Sequence, residues 1–343
     1  LARRSASGRP PGMMDVAAAA GVSHQTVSRV INETDRVAPE TRERVLRAIA
    51  ELGYRRNSVA RALVTRKSGI VGVITTTSAL YGPSSILLAV ELAARRNAGY
   101  FTSVAPLEQF TPDAITNALD HFLGLAVEGV VIIAPLAEAS DALASVHIPV
   151  PVVAVTSAEI GRASGVLAVS EDHFGGARQA VRHLIDLGHR DIVHVSGPKG
   201  WYEAAARRSA WRAEMEAAHL PLREIAADGW GAEQGFQAGL ALAGGPVPTA
   251  VFAANDQLAL GVVQAFDRSG LRVPDDVSVV GFDDELSAAF YRPPLTTVRQ
   301  DFSKLGAYVI RTLMTAIEGE APSEALVLPT RLVVRASTAP PRP

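Results

Sequence analysis

The chain has no cysteine among its 343 residues. That excludes disulfides, thiol nucleophiles and Cys-ligated zinc, and it fits a cytoplasmic protein. It also lacks any apolar run of the roughly 18–20 residues that a membrane span needs. The opening "LARRSASGRPPG" is basic but carries no apolar segment, so it does not read as a secretory signal. Residues 1–12 are expected to be a disordered extension. Several chemical signatures are missing too. There is no GxxxxGK(S/T) phosphate loop, no HExxH and no GxSxG, and "GWGAEQG" has the wrong spacing for GxGxxG. No catalytic residue, cofactor or metal is therefore expected. His183, His189 and His194 lie close in sequence, but they straddle a helix end, a turn and a strand. Turn and packing roles suit them better than a metal site.

Net charge is also nearly absent, at −2, yet it is unevenly spread. Residues 1–68 sum to +7 and the remainder to −9. A basic head on an acidic body suggests that one end meets a polyanion. A merely solvated charged surface is the plainer alternative.

What is present falls into two styles. The head reads as helices: "MMDVAAAAG" stopping at Gly21, then "HQTVSRVIN" capped by Ser23, then "PETRERVLRAIAELG" opened by Pro39 and closed past Leu52 by Gly53. Three short helices with a tight Gly turn between the first two form a helix-turn-helix unit. The second helix is two-faced. Val22, Val27, Val30 and Ile31 supply an apolar side, and His24, Gln25 and Arg29 project from the other. From Ile70 onward, short apolar runs ("IVGVIT", "GVVIIA", "VPVVAV", "DIVHVSG", "TAVFAA", "VSVVGF") alternate with helical patterns such as "ARQAVRHLIDLGH" and "NDQLALGVVQAFDRSG". Such alternation implies parallel sheets covered by helices, and its length implies two doubly wound α/β subdomains. Ligands of such folds sit at the carboxyl ends of strands. Asp283 and Asp284 follow "VVGF" there, either as a turn or as a hydroxyl-binding pair. The tail "RASTAPPRP" has no apolar periodicity and reads as disordered.

"DVAAAAGVSHQTVSRVINETDRVAPETRERVLRAIAELGYRRNSVARAL" resembles the DNA-binding head and hinge of the lactose/galactose repressor (LacI/GalR) family. "TSALYGPSSI", "LIDLGHRDIVHVSGP", "PTAVFAANDQLALGVVQAFDRSGLRVPDDVSVVGFDDE" and "RPPLTTVRQDF" are similar to that family's core, closest to its lactose-repressor branch. The resemblance implies an all-α helix-turn-helix head at 13–56 and a hinge helix with linker at 57–68. It implies a periplasmic-binding-protein-like effector core at 69–338, with a tail at 339–343. Within the core, the N-subdomain would take about 69–170 and 301–329, and the C-subdomain about 171–300 and 330–338. The implied function is a transcriptional repressor, not an enzyme, that is released from operator DNA by a small sugar. The absence of the leucine-rich C-terminal helix that makes tetramers implies a homodimer.

The resemblance places His24, Gln25 and Arg29 at base edges in the major groove. Arg can fork onto guanine, Gln can pair with adenine, and His can donate to an acceptor. Ser23, Thr26, Ser28 and Asn32 would reach phosphates, with capping as the alternative for the hydroxyl residues. In the hinge, Asn57 leads a helix whose Leu63 wedges between base pairs with Ala60 beside it in the minor groove. Arg56 stands where the family usually has Pro. At the effector end the resemblance implies polar contacts from Arg207, Asn255, Asp283, Gln300 and Thr76. It also implies a flat Trp230 for a pyranose face and an apolar wall of Leu80, Pro83, Ile86 and Phe302. An ordinary core or surface tryptophan is the plainer alternative for Trp230. Two departures argue against a strict galactoside site. Thr156 replaces a sugar-binding Asp of the lactose-responsive members, and Ile133 replaces an Asn.

Overall fold

The computed structural model describes residues 11–31, 37–54, 67–77, 80–136, 139–320 and 326–342. The chain divides into two compact units, Leu1–Ser68 and Gly69–Pro343. Most of the hinge and linker expected at 57–68, and with it Asn57, Ala60 and Leu63, lies outside the described residues, as do Arg56 and Asn32.

The first unit has three helices, α1 (Met13–Ala20), α2 (His24–Ile31) and α3 (Pro39–Leu52). Each boundary has a local cause. The Asp15 carboxylate accepts from the Gly12 amide at 2.7 Å, which satisfies one orphan donor at the start of α1. Gly21 ends α1 with φ 61° and Gly53 ends α3 with φ 63°, a left-handed region that costs glycine little. Val16, Ala17 and Ala20 of α1, Val27 and Val30 of α2, and Val45 and Ala48 of α3 form one small buried core.

The second unit holds two parallel sheets. The larger contains β1 (Ile70–Thr76), β2 (Phe101–Leu107), β3 (Gly129–Ile133), β4 (Val152–Val155), β5 (Leu167–Glu171) and, much later in sequence, β11 (Leu326–Leu328). Their order is β11-β5-β4-β3-β1-β2, and each neighbouring pair is parallel. Its faces are covered by α4 (Tyr81–Ala93), α5 (Pro112–Gly124), α6 (Ala139–Ser145), α7 (Ala158–Ser164) and the returning helix α12 (Phe302–Ile317). Leu305, Val309, Ile310 and Leu313 of α12 pack with Val131 and Val153 of the sheet, which explains why the chain comes back.

The smaller sheet has β6 (Ile192–Ser196), β7 (Arg223–Ala226), β8 (Ala250–Ala253) and β9 (Ser278–Val280) in the order β7-β6-β8-β9, again parallel. Its helices are α8 (His173–Asp186), α9 (Tyr202–Ala217), α10 (Ala232–Ala243) and α11 (Asp256–Arg268). A short antiparallel pair, β10 (Thr297–Arg299) with β12 (Arg331–Val333), lies beside it. The chain thus passes between the two sheets at Glu171–Asp172, at Gln300–Asp301 and at Pro329–Thr330. These crossings are tied to one another: the Asp172 amide donates to Leu328 at 2.7 Å, and the Thr330 hydroxyl donates to the Asp172 carbonyl at 3.0 Å.

The expectation of a disordered tail is corrected by residues 336–342. Ser337 is fully buried, and its hydroxyl donates to the Val279 carbonyl at 2.6 Å while accepting from the Thr296 amide at 2.7 Å. The Ala339 carbonyl accepts from Ser278, and Arg342 pairs with Asp275 and Asp276. The tail has no apolar period because hydrogen bonds to the edge of the smaller sheet, not an apolar face, hold it.

Candidate functional site

In the head, the polar side of α2 faces outward: Ser23, His24, Gln25 and Arg29 are exposed, and Thr26 and Ser28 are half-buried. The Ser23 hydroxyl accepts from the Thr26 amide at 3.2 Å and meets the Thr26 hydroxyl at 2.9 Å, so these two residues build the N-cap of α2. No acidic residue sits in the first turn of α2, which leaves its positive dipole end unopposed for an anion such as phosphate.

In the core, a pocket lies where the two subdomains meet. Nine of the ten residues named from sequence for the effector line it: Leu80, Pro83, Ile86, Arg207, Trp230, Asn255, Asp283, Gln300 and Phe302. Thr76, the half-buried last residue of β1, does not. Neither departure position reaches the pocket. Ile133 is buried at the end of β3, and Thr156 is buried with its hydroxyl unpartnered.

Each wall has its own construction. Asn255 is the N-cap of α11: its Oδ1 accepts from the Leu258 amide at 2.8 Å, and its amide nitrogen donates to the Trp230 carbonyl at 3.1 Å. One residue thereby fixes both a helix start and the loop that carries the tryptophan. Trp230 lies flat over Gly197, where a Cβ would overlap the indole ring. It meets Trp201 edge to face at 5.5 Å, and its ring N–H has no partner. A buried indole N–H without an acceptor is costly unless a ligand supplies one.

Arg207, 2% exposed, stacks over Phe282 at 3.8 Å. It donates to the Ala254 carbonyl at 2.6 Å and to Asp283 at 3.3 Å, while its Nε has no partner. Gln300 donates to the same Asp283 oxygen at 2.7 Å. Asp283 and Asp284 separate into two tasks. Both have positive φ, 112° and 53°, which is strained for residues other than glycine. Asp284 is clamped by Arg299 and Arg335, and its amide donates to Thr297 at 3.3 Å. The clamp holds the bend that presents Asp283 to the pocket. Burial, opposed by Arg207, pushes the Asp283 carboxyl up to about 7.

Four lining residues were missed by the sequence reading: Tyr81, Gly82, Trp201 and Glu203. Tyr81 and Gly82 lie inside the quoted "TSALYGPSSI", and Tyr81 packs edge-on against Phe302 at 5.8 Å. Trp201 and Glu203 follow the carboxyl end of β6, where ligands of such folds bind. The three clustered histidines go to separate partners. His183 bonds Thr338, His189 bonds Ser278 and Ala339, and His194 bonds the Phe252 carbonyl.

Among the described residues, no helix is long and apolar enough to cross a membrane. Residues 12–57 match the model of bacterial regulatory proteins of the lacI family, and residues 181–338 match a periplasmic binding protein-like domain. The chain is 37% identical to the lactose operon repressor of Escherichia coli (strain K12), covering 97% of this chain and 92% of that protein. It is 33% identical to the transcriptional repressor PurR of Histophilus somni (strain 129Pt), covering 94% and 97%. A crystal structure of the lac repressor dimer bound to operator and the anti-inducer ONPF superposes with a TM-score of 0.87 at 35% identity, over 96% of this chain and all of that one. The regulator CelR in complex with cellobiose superposes with a TM-score of 0.68 at 32% identity, over 95% and 99%. The chain is thus a transcriptional regulator built as a helix-turn-helix head on a two-subdomain α/β core, and it belongs to the lacI family of bacterial DNA-binding repressors.

Proposed function

We propose that this repressor acts as a homodimer on a pseudo-palindromic operator and is released by a small sugar or glycoside, with a galactoside as the leading candidate. The observation that carries the effector class is the pocket's two-sided lining. Planar, forked polar groups (Arg207, Asn255, Asp283, Gln300) stand across from Leu80, Pro83, Ile86 and Phe302, with the Trp230 indole beside them. Paired hydroxyls fit the first set and the C–H face of a pyranose fits the ring, and buried polar groups reject ligands that leave them unpaired. One head presents one recognition helix, so a two-fold site takes two copies. The similarity to an operator-bound lac repressor dimer supports the same assembly. Such work belongs in the cytoplasm, beside the chromosome.

His24, Gln25 and Arg29 read the bases, Ser23, Thr26, Ser28 and Asn32 fix the register on phosphates, and the hinge residues Asn57, Ala60 and Leu63 engage the operator centre. Inducer shifts the subdomains and separates the hinges. Reciprocity then requires operator DNA to weaken inducer binding by the same factor. Fluorescence anisotropy of a labelled operator, titrated with a sugar panel, tests the reading. Release by one sugar, matched by weaker sugar binding on DNA, is the expected result, and the absence of any mutual effect overturns it. A second reading is a corepressor, a purine or a partner protein, that tightens DNA binding. The similarity to PurR repressors along nearly the whole chain favours it. The sign of the anisotropy change separates the two.

A further inference from the structure

The effector pocket holds more carboxyl groups than cations. Among the residues that line it, Arg207 is the one cation and Glu203 and Asp283 are carboxylates. A third carboxylate, Glu171 at the end of β5, is 5% exposed and interacts electrostatically with Glu203, Asp283 and Arg207. The Asp301 amide donates to Glu171, but its Oε1 has no partner at all. Glu203 is 8% exposed, with the Tyr202 hydroxyl bonded to its carboxylate. Arg207 is a single charge among three carboxyls, and both terminal nitrogens of its guanidinium already bond the Ala254 carbonyl, Asp283 and the ring of His173. Beneath the pocket, Asp256 and Glu285 add two more buried carboxylates. The other nearby guanidiniums, Arg299 and Arg335, are held by Asp284.

Buried charge without a counter-charge is costly, so burial raises the proton affinity of each of these acids. Burial, then Glu203 and Asp283, pushes Glu171 up to about 8, and burial raises Glu203 as well. A neutral sugar offers these carboxyls no counter-charge. A cation seated among the hydroxyl-binding groups does, so that they can ionise against it, and the low local dielectric makes the attraction strong.

We propose that the effector carries a protonated amine among its hydroxyls, and that Glu203 and Asp283, backed by Glu171, select such an amino sugar over its neutral parent. The proposal rests on the reading of this pocket as a sugar site and adds a charge to the ligand. The amine supplies a charged donor to Glu203 and Asp283, which line the pocket, while Trp230 and the apolar wall hold the ring.

The test uses the full-length protein at pH 7, with melting temperature and titration calorimetry as readouts. The probes are D-galactosamine, D-galactose and N-acetyl-D-galactosamine, with the matching gluco and manno triplets. In at least one series the free amine is expected to bind tenfold or more tighter than both its parent and its acetylated form. Glu203→Gln and Glu171→Gln should each cut that ratio at least fivefold. Both variants should also melt higher than the parent protein at pH 8 without ligand, which shows that they fold. Neutral sugars binding as well as or better than amines in every series overturns the amine while leaving the sugar reading standing. Stabilisation by none of the probes overturns both.

Discussion

Single residues carry the two recognition tasks, and they are separable. Arg29 is exposed on the outer side of α2, so Arg29→Ala should weaken specific operator binding by about 1–3 kcal/mol, with non-specific binding changed far less. Competition of labelled operator against random duplex checks this, and equal losses on both would place Arg29 on the backbone. Gly197 makes room for the Trp230 ring, so Gly197→Ala should push the indole out of register. Effector affinity is then expected to fall about tenfold, with operator affinity in the absence of effector unchanged, as read by tryptophan fluorescence and anisotropy. Most of the pocket was legible in the sequence because its members stand in motifs, such as Asn255 in "AANDQ" and Gln300 in "VRQDF". Glu203 was not. A glutamate near a helix start ordinarily reads as solvated, and only the fold reveals that this one is buried beside Arg207.

At the scale of elements, legibility followed burial. The central strands β1, β3, β4, β6, β8 and β9 are buried along most or all of their length and read as unbroken apolar runs. β2 and β7 are edge strands, half-exposed along their length, and their mixed sequences carried no such signal. The tail failed for a related reason, since what orders it is hydrogen bonding by Ser337 and Ala339, which has no sequence period. That yields a test. Truncation after Arg335 removes the bonds that the tail makes to Val279, Thr296, Ser278 and Pro294 while keeping the Arg335 clamp on Asp284. At about 1 kcal/mol each, the loss should lower the melting temperature by roughly 10 °C. An unchanged melting temperature would show that the tail contributes nothing to stability.

For the whole molecule, the buried acids tie stability to pH. Glu171, raised to about 8, and Asp283, raised to about 7, keep protons in the folded chain that the unfolded chain has already released. Their stabilising contribution is complete below the ordinary carboxylate range near pH 4 and is lost as pH rises through 7 and 8. Buried His173, His189 and His194 and half-buried His183 act with the opposite sign, because burial lowers each of them, but their effect is complete once pH exceeds about 6.5. Between pH 7 and 8.5 the melting temperature should therefore fall, and Glu171→Gln should flatten the slope. A parallel slope in the variant would mean that Glu171 titrates normally. The uneven charge gives a second global test. Raising salt should weaken operator binding steeply, because the phosphate-facing charge lies in residues 1–68, and leave effector binding nearly constant.

The return of α12 and β11 to the larger sheet also sets an order of birth. The smaller sheet and all its helices are encoded between residues 172 and 280, inside a single uninterrupted stretch. The larger sheet lacks its edge strand until Leu328 has been made. During synthesis from the N-terminus, the subdomain that begins first must wait, unfinished, while its partner is completed. Cutting the gene at any one point within the core before residue 326 therefore leaves the first subdomain short of its final strand.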